Sequence, residues 1–199
     1  MIRRRVVLAS ASPRRREILD QLGVVHEVHP AHVDETYTPG ETAPEHVERL
    51  ARAKAAVVAE AFSDALVIGG DTVVVRDGEV LGKPSGVEDA VSTLLSLSGR
   101  SHTVLSGLAV SRGGAVFSGI STTEVVFREF GEETARAYAA TGEPLDKAGA
   151  YGIQGLGAAL VREIRGDYST VVGFPVPVFI DLLARAGTPY TFHPGADAP

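Results

Sequence analysis

The sequence predicts an α/β fold built on a mixed, twisted β-sheet, and three observations lead to this prediction. In the first half of the chain, apolar runs that suit buried strands alternate with stretches of helical periodicity. In the second half, two long β-rich runs at 103–110 and 115–127 flank Arg112-Gly113-Gly114 like the arms of a hairpin. Alternation of strands and helices favours parallel pairing, whereas a hairpin requires antiparallel pairing. One mixed sheet therefore accounts for both halves better than a purely parallel Rossmann sheet.

Composition limits the domain organisation and the partners. The chain has 199 residues, 44% of them hydrophobic, and we expect residues 1–187 to form one domain with a frayed tail at 188–199. A formal net charge of −6 argues against bulk attraction to nucleic acid or to an anionic membrane. The absence of cysteine excludes disulfides and thiolate metal sites, and no apolar stretch approaches the roughly 20 residues of a membrane span. We expect a cytoplasmic protein that binds neither nucleic acid nor membrane.

The N-terminal elements follow from short-range patterns. Residues 6–8 are an apolar run typical of a buried strand. Ser12 suits the N-cap of a helix and Pro13 suits its first position, because proline lacks the N–H that would be unpaired there. Gly23 ends this helix, and residues 24–28 alternate weakly as a second strand.

A second helix is predicted after a loop at 30–40. Thr42 and Glu45 have the spacing of a capping box, in which two side chains satisfy free N–H groups of the first turn. Apolar residues then recur at helical spacing and predict the buried face of this helix. They are Val47, Leu50, Ala51, Val57, Val58 and Ala61.

The next strand is predicted to be interrupted in its middle. Residues 66–68 begin it, Gly69-Gly70-Asp71 interrupt it, and residues 72–75 resume it. Two glycines beside an acidic residue would let a ligand or a metal ion approach the backbone closely. Asp77-Gly78 then predicts a hairpin turn that leads to a short strand at 80–81.

The remaining elements are separated by glycines and turns. Ser85 and Glu88 have capping-box spacing and predict a helix that runs to Leu97 and stops at Gly99. The other predicted segments are a helix at 132–140 ended by Gly142, a glycine-rich loop at 149–157, a strand at 158–164, a turn at Gly166-Asp167 and a helix at 177–186.

Three consecutive arginines, Arg14, Arg15 and Arg16, lie in the predicted first turn of the first helix. This is the positive end of the helix macrodipole, where each cation costs up to about 1 kcal/mol. An anion bound among the arginines and the free N–H groups of the turn would offset this cost. The sequence therefore predicts a site for an anionic, phosphorylated ligand.

Two charged residues lie where apolar residues are expected. Asp71 lies between the apolar halves of a strand, where an unpaired carboxylate is expensive, and this makes it the catalytic candidate. The alternative is a carboxylate that only accepts hydrogen bonds within a turn. Lys54 lies seven residues after Val47, on the apolar face of the second helix. It either enters the site or extends along the helix edge so that its ammonium reaches water.

Further candidates lie in loops. Lys83 follows the hairpin strand, where it would either bind phosphate or be exposed to solvent. Asp34 and Glu35 suit Mg²⁺ or Mn²⁺ as oxygen ligands, although such pairs are common in solvated loops. The glycine-rich loop contains Gln154, whose amide could bind the edge of a base. The six histidines lack the spacing of zinc ligands.

Seven motifs follow one another over most of the chain. They are LASASPRRREIL at 8–19, DE at 34–35, LARAKA at 50–55, GGDTVV at 69–74, LGKP at 81–84, EPLDKAGAYGIQG at 143–155 and YSTVVGFPV at 168–176. Together they resemble the Maf family of nucleotide pyrophosphatases. The resemblance implies a two-lobed α/β fold with a central cleft, like that of inosine triphosphatases, and a homodimer. It also implies hydrolysis of a nucleoside triphosphate between the α and β phosphates, with Mg²⁺ or Mn²⁺.

The same resemblance implies roles for individual residues. Asp71 matches the catalytic acid that accepts a proton, and Glu35 and Asp71 match acids near the metal. Ser10, Arg14, Lys54 and Lys83 match the residues that bind phosphate. Arg15, Thr72 and Gln154 match residues associated with the branch that prefers dTTP and UTP. Arg16 is expected to be only a solvated charge.

We therefore expect a nucleoside triphosphate pyrophosphatase for dTTP, UTP or modified pyrimidine nucleotides, with a role in nucleotide-pool cleansing and cell-division arrest. Two alternatives stay open. A nucleotidyltransferase would also begin with a strand, a small-residue loop and arginines, but would need a second substrate such as a sugar phosphate. A noncatalytic regulator of septum formation would bind the nucleotide without turnover.

Overall fold

The computed structural model describes residues 4–192, and this part of the chain folds as seven strands and six α-helices. The strands are β1 (Val6–Leu8), β2 (Glu27–Val28), β3 (Leu66–Arg76), β4 (Glu79–Leu81), β5 (Ser101–Arg112), β6 (Ala115–Phe127) and β7 (Val161–Arg165). The helices are α1 (Pro13–Gln21), α2 (Ala43–Ala59), α3 (Val87–Leu97), α4 (Glu132–Ala139), α5 (Tyr168–Val172) and α6 (Val176–Arg185). Short 3₁₀ helices lie at Glu143–Asp146, Ala148–Ala150 and Leu156–Leu160.

All seven strands form one mixed sheet, as predicted. The strand order is β2-β1-β3-β5-β6-β7, and β4 pairs with β3 beside this path. β1 is parallel to both β2 and β3, whereas the remaining pairs are antiparallel. Within residues 4–192, no helix has the combined length and apolar character that crossing a membrane requires. The domain bounds at 1–187 and the frayed tail stay predictions, and residues 193–199 of that tail lie outside the described part.

The long strand β3 determines where the sheet opens. β5 pairs along one edge of β3, from Val67 to Val75. On the other edge, β1 pairs only as far as Ile68, and β4 pairs only from Val74 onward. Residues 69–73 consequently have no strand partner on that edge among residues 4–192, and a cleft opens between β1 and β4.

The predicted interruption of β3 is wrong, because the strand is continuous through Gly69, Gly70 and Asp71. The role expected of the glycines is also wrong for Gly69, which faces helix α2. A Cβ at Gly69 would lie 2.3 Å from the carbonyl oxygen of Ala51. On the neighbouring strand, a Cβ at Gly107 would lie 2.5 Å from the carbonyl oxygen of Val47. These glycines allow the backbone of α2 to lie directly against the sheet.

The two faces of the sheet are covered differently. On the face of Gly69, helix α2 packs through small residues, among them Ala51 and Ala55 against Ala109. The opposite face carries the large core, to which α1, α3, α4 and α6 contribute and in which Phe127 is fully buried. Alternation along β3 therefore directs Asp71 toward α2 and Thr72 toward the large core.

Several predicted boundaries are confirmed and others are wrong. The hairpin turn at Gly113-Gly114 and the start of α1 at Pro13 are confirmed. Ser12 stands at the N-cap position of α1, but in the described part of the chain its side chain makes no capping hydrogen bond. On α2, Val57 is 39% exposed and Ala61 lies beyond the end of the helix, so neither belongs to the buried face.

Other differences arise from side chains that bind the backbone locally. Ser85 donates from its N–H and hydroxyl to Asp89, so the predicted box with Glu88 is wrong and α3 begins at Val87. Asp167 accepts hydrogen bonds from the N–H groups of residues 169 and 170 and caps α5, a five-residue helix that the sequence did not predict. Two predicted strands are shorter in the structure. They are 24–28, observed as Glu27–Val28, and 158–164, observed as Val161–Arg165.

Candidate active site

A pocket of about 730 Å³ opens at the unpaired edge of β3. Loops that follow β1, β2 and β4 supply part of its wall, and the segment after α4 supplies another part. The pocket brings together nine of the ten candidate residues predicted from the sequence, all except Asp34. These residues are Ser10, Arg14, Arg15, Glu35, Lys54, Asp71, Thr72, Lys83 and Gln154.

Asp71 and Lys54 form a buried ion pair at the floor of this pocket. The ammonium of Lys54 lies 2.8 Å from Oδ1 of Asp71, and the side chains are 10% and 12% exposed. The interpretation in which Lys54 extends to water is therefore wrong. Helix α2 places Lys54 on its sheet-facing side, and the close approach at Gly69 brings the ammonium within reach of Asp71.

Glu35 extends this ion pair toward the rim of the pocket. Its Oε1 lies 2.6 Å from the ammonium of Lys54, so one lysine joins two carboxylates. The hydrogen bond from Lys54 lowers the pKa of Glu35, although the carboxylate is 61% exposed. Asp34 does not line the pocket, because its Oδ1 accepts the N–H of Thr36 in a local turn.

The three arginines of α1 have different environments. Arg16 is exposed, Arg14 is half-buried at the pocket wall, and Arg15 is only 9% exposed. Burial lowers the pKa of Arg15 and outweighs the opposing effect of the negative charge of Asp71. The helix therefore buries Arg15 and leaves Arg14 half-buried, and both line the pocket.

Arg15 binds four protein groups around the unpaired edge of β3. Nη1 donates to the carbonyl oxygen of Gly70 at 2.8 Å and to Oγ of Ser10 at 3.0 Å. Nε donates to the carbonyl oxygen of Gly173 at 2.9 Å, and Nη2 lies 3.3 Å from Oγ1 of Thr72. The guanidinium thus binds the strand edge where a neighbouring strand would otherwise pair.

Thr72 belongs to a polar network that the sequence did not indicate. Its Oγ1 lies 2.8 Å from Oγ of Ser106 on β5. Ser106 is fully buried and donates to the carbonyl oxygen of Thr170 in α5. Because α5 is followed directly by Gly173, the network and Arg15 fix the same segment of the pocket wall.

Glu143 organises the loop that carries Gln154. Its carboxylate accepts the N–H groups of Leu156 and Gly157 and the hydroxyl of Tyr138, at 2.8–3.0 Å. A Cβ at Gly155 would lie 2.4 Å from Oε2 of this carboxylate. Much of the glycine content of the loop is therefore required by packing against the chain itself, and Gln154 remains exposed at the pocket.

Lys83 is exposed at the pocket beside β4.

Four further residues line the pocket although no pattern in the sequence indicates them. Lys147 donates to Asp146 at 2.6 Å, and both line the pocket. Tyr37 and His46 line the same side as Glu35 and Lys54. The spacing of these four residues in the sequence does not indicate a site, because they come from distant segments that only the fold brings together.

A buried histidine lies beneath the pocket. His102 is 3% exposed, and its Nε2 lies 2.8 Å from the hydroxyl of the pocket residue Tyr151. Its Nδ1 has no hydrogen-bond partner within residues 4–192. Burial lowers the pKa of His102 to about 4, so the ring is neutral in the folded protein at neutral pH.

We expect His102 to make the protein sensitive to mild acid. Below pH 6.5 an unfolded chain binds a proton at this histidine while the folded protein does not, so stability falls until the pH reaches about 4. The loss is about 2 kcal/mol in the free energy of unfolding between pH 6.5 and about pH 5. Urea unfolding at these two pH values should show a smaller difference in His102→Gln. The exposed His32, changed to Gln, serves as the control, and an equal pH dependence in all three proteins would contradict this origin.

Comparison with known proteins gives a consistent result over nearly the whole chain. Residues 5–186 match the family model described as Maf-like protein. The chain is 51% identical to a dTTP/UTP pyrophosphatase of Anaeromyxobacter sp. (strain Fw109-5), with 98% of this chain and 96% of the relative covered. It is 50% identical to a dTTP/UTP pyrophosphatase of Moorella thermoacetica (strain ATCC 39073 / JCM 9320), with 92% and 95% covered.

A solved structure is also similar to this chain. It is a nucleoside-triphosphatase / dITP/XTP pyrophosphatase from Mycobacterium abscessus ATCC 19977 / DSM 44196. The TM-score is 0.44 at 13% identity, with 92% of this chain and 95% of the other covered.

Proposed function

Because this chain belongs to the Maf-like protein family, we propose that it is a nucleoside triphosphate pyrophosphatase that hydrolyses dTTP and UTP. The observation that carries the proposal is the pocket beside β3, where the buried carboxylate of Asp71 lies next to Lys54. The same pocket contains the cationic side chains of Arg14 and Lys83. Cleavage of a phosphoanhydride requires this combination of a group that activates water and cations that bind phosphate.

The triphosphate is assigned to the wall formed by the loop after β1 and the start of α1. Arg14 supplies positive charge there, the first turn of α1 supplies backbone N–H groups, and Lys83 supplies a second cation from the loop after β4. Oγ of Ser10 accepts hydrogen bonds from the N–H of Ser12 and from Arg15. The hydroxyl hydrogen of Ser10 is therefore left to donate to a phosphate oxygen.

Asp71 is assigned as the group that accepts a proton from water. The water oxygen forms a bond to the α phosphorus, the bond from that phosphorus to the bridging oxygen breaks, and pyrophosphate leaves. Lys54 donates to Oδ1 and fixes the orientation of the carboxylate. Arg14 and Lys83 stabilise the negative charge that develops on the departing pyrophosphate.

Glu35 and Asp71 fit Mg²⁺ or Mn²⁺ when substrate oxygens complete the ligand set. Residues 4–192 contain no group of three or more His, Asp or Glu side chains placed to hold a metal by themselves. Mg²⁺ commonly takes one or two carboxylates together with phosphate oxygens and water. Glu35 and Asp71 supply two carboxylates that lie close together, since they are 2.6 and 2.8 Å from the same ammonium of Lys54. A bound divalent ion would neutralise phosphate charge next to Asp71.

Base preference is assigned to Arg15, Thr72 and Gln154, in two different ways. Gln154 is exposed at the pocket and can bind a base edge directly. Arg15 and Thr72 are bound to each other, and the segment that ends at Gly173 is bound directly by Arg15 and through Ser106 by Thr72. We therefore assign to them a role in shaping the pocket wall against which the base lies.

The wider setting of the enzyme is a separate part of this proposal. We propose a cytoplasmic homodimer that acts on free nucleotides, without a nucleic-acid or membrane partner, and that removes modified pyrimidine nucleotides from the nucleotide pool. A link to septum formation is part of this proposal. The net charge of −6 disfavours nonspecific binding to nucleic acid, and this supports the absence of a nucleic-acid partner.

The direct test incubates the purified protein with canonical and modified triphosphates in the presence of Mg²⁺ or Mn²⁺ and identifies the products. We expect a nucleoside monophosphate and pyrophosphate in equal amounts. We expect kcat/KM for dTTP and UTP to exceed that for purine triphosphates by at least about tenfold, because a site that hydrogen-bonds one base edge leaves groups unpaired with another.

Two outcomes would replace this function with the alternatives. Pyrophosphate release only after a sugar phosphate or another acceptor is added would indicate a nucleotidyltransferase. Nucleotide binding without turnover with either metal would indicate a noncatalytic regulator.

A further inference from the structure

Glu35 is an unusual member of the site, because it lies in a loop without regular secondary structure yet contacts the buried Lys54 at 2.6 Å. The loop between β2 and α2 spans residues 29–42. Ordering such a loop costs about 1–2 kcal/mol of backbone conformational entropy per residue, so other contacts must hold it in place. The contacts lie immediately after Glu35.

Glu41 is the centre of these contacts. Its Oε1 lies 2.5 Å from Nε of Arg49, and its Oε2 lies 2.9 Å from Nη2 of the same guanidinium. Oε2 also lies 2.9 Å from Nδ1 of His46 and accepts the N–H of Thr38 at 3.1 Å. The carboxylate is only 7% exposed, so the end of the loop is fixed to the first two turns of α2.

Two further contacts join this cluster to the residues beside Glu35. The ring of Tyr37 stacks on the ring of His46, with the centroids 3.5 Å apart and the planes within 2°. Nη2 of Arg49 donates to the carbonyl oxygen of Thr36 at 2.9 Å. Thr36, which follows Glu35, is thus bound through its backbone, and Tyr37 is bound through its ring.

The protonation state of the cluster follows from its contacts. The hydrogen bonds from Arg49 hold the pKa of Glu41 well below its usual range, so the carboxylate is ionised and can only accept. His46 must therefore carry a hydrogen on Nδ1. Arg49 and His46 then both donate to Glu41, and the carboxylate of Glu41 balances the positive charge of Arg49.

We propose that Tyr37, Glu41, His46 and Arg49 form a loop clamp that positions Glu35 against Lys54 and Asp71. In this proposal, which rests on the proposed function only for its kinetic readout, Tyr37 and His46 line the pocket beside Glu35, whereas Glu41 and Arg49 do not line it. All four are positioning residues that act through Glu35. Their contacts fix the loop to α2, the same helix that carries Lys54, so Glu35 and Lys54 share one rigid support.

Two pairs of variants test the clamp. Glu41→Gln removes its central charge with little change of shape, and Glu60→Gln removes one charge from the exposed C-terminal end of α2 as the matched control. Tyr37→Ala removes the stacked ring, whereas Tyr37→Phe keeps it. Hydrogen exchange of the full-length protein, followed by mass spectrometry, should be faster at 30–42 in Glu41→Gln and Tyr37→Ala and unchanged in the other two. Exchange of β3 and β5 should not change in any of them.

A double-mutant cycle tests whether the clamp acts through Glu35. We expect Glu41→Gln to lower kcat/KM about tenfold in the wild-type background and less than about twofold in a Glu35→Ala background, because the coupled contact is already lost. Equal losses in both backgrounds would overturn the proposal, as would unchanged exchange at 30–42 in Glu41→Gln.

If the protein shows no turnover, the proposed function fails but the clamp can still be tested. The same cycle is then measured on the affinity for dTTP, together with the exchange experiment. Non-additive losses of affinity and faster exchange at 30–42 would support the clamp, and additive losses would overturn it.

Discussion

Asp71→Asn is expected to lower the turnover of dTTP by roughly 10³-fold, the loss that follows removal of a general base. The amide has nearly the same shape as the carboxylate, and its oxygen can still accept the hydrogen bond from Lys54. It cannot accept a proton from water. Because Arg14, Lys83 and Ser10 are unchanged, the affinity for the nucleotide should stay within a few-fold of the wild type. Pyrophosphate release and calorimetric titration with dTTP measure the two quantities separately.

A matched control for this variant lies on the same hairpin. Asp77→Asn removes one carboxylate from the turn between β3 and β4, where the residue has a φ of +50° that asparagine tolerates. We expect turnover within about twofold of the wild type, as for a surface substitution away from the pocket. Near-normal turnover in Asp71→Asn would remove Asp71 from the catalytic role, whatever the control shows.

Gly69→Ala is expected to produce the largest loss of stability, about 3 kcal/mol in the free energy of unfolding. The added methyl group would lie 2.3 Å from the carbonyl oxygen of Ala51 and 2.6 Å from the backbone nitrogen of Ala55. Both atoms belong to the backbone of α2, so the overlap is relieved only if the helix moves away from the sheet. Urea or thermal unfolding followed by circular dichroism measures the loss.

The same displacement should weaken activity, because it carries Lys54 away from Asp71. Gly82→Ala is the stability control, since a Cβ there would meet no atom of residues 4–192 within 4 Å. We expect its free energy of unfolding to stay within about 1 kcal/mol of the wild type. A Gly69→Ala protein as stable as Gly82→Ala would contradict the close approach of α2.

Local patterns in the sequence predicted much of the site. The apolar face of α2 placed Lys54 among buried residues, and the structure confirms that Lys54 lies on that face. Asp71 was singled out because an acidic residue interrupted an apolar run, and it is indeed buried in a strand. Both inferences depend on the helical or strand period, which neighbouring residues in the chain determine.

Other features depend on packing between distant segments. The sequence suggested that Gly69-Gly70 admits a ligand, but the helix α2 occupies the space beside Gly69. No pattern in the sequence predicts that Tyr37 stacks on His46, because Tyr37 lies in a loop without periodicity whereas His46 lies in α2.

The three arginines of α1 show which properties the sequence determines and which depend on the tertiary structure. By itself, the sequence determined that three cations lie at the positive end of a helix, which calls for an anion, because capping and helix direction are local properties. Only the tertiary structure decided that Arg15 is buried while Arg14 faces the pocket. Arg15 binds Gly70 and Gly173, which are 55 and 158 residues away along the chain. Such contacts depend on which edge of β3 is left unpaired, and sheet topology determines that edge.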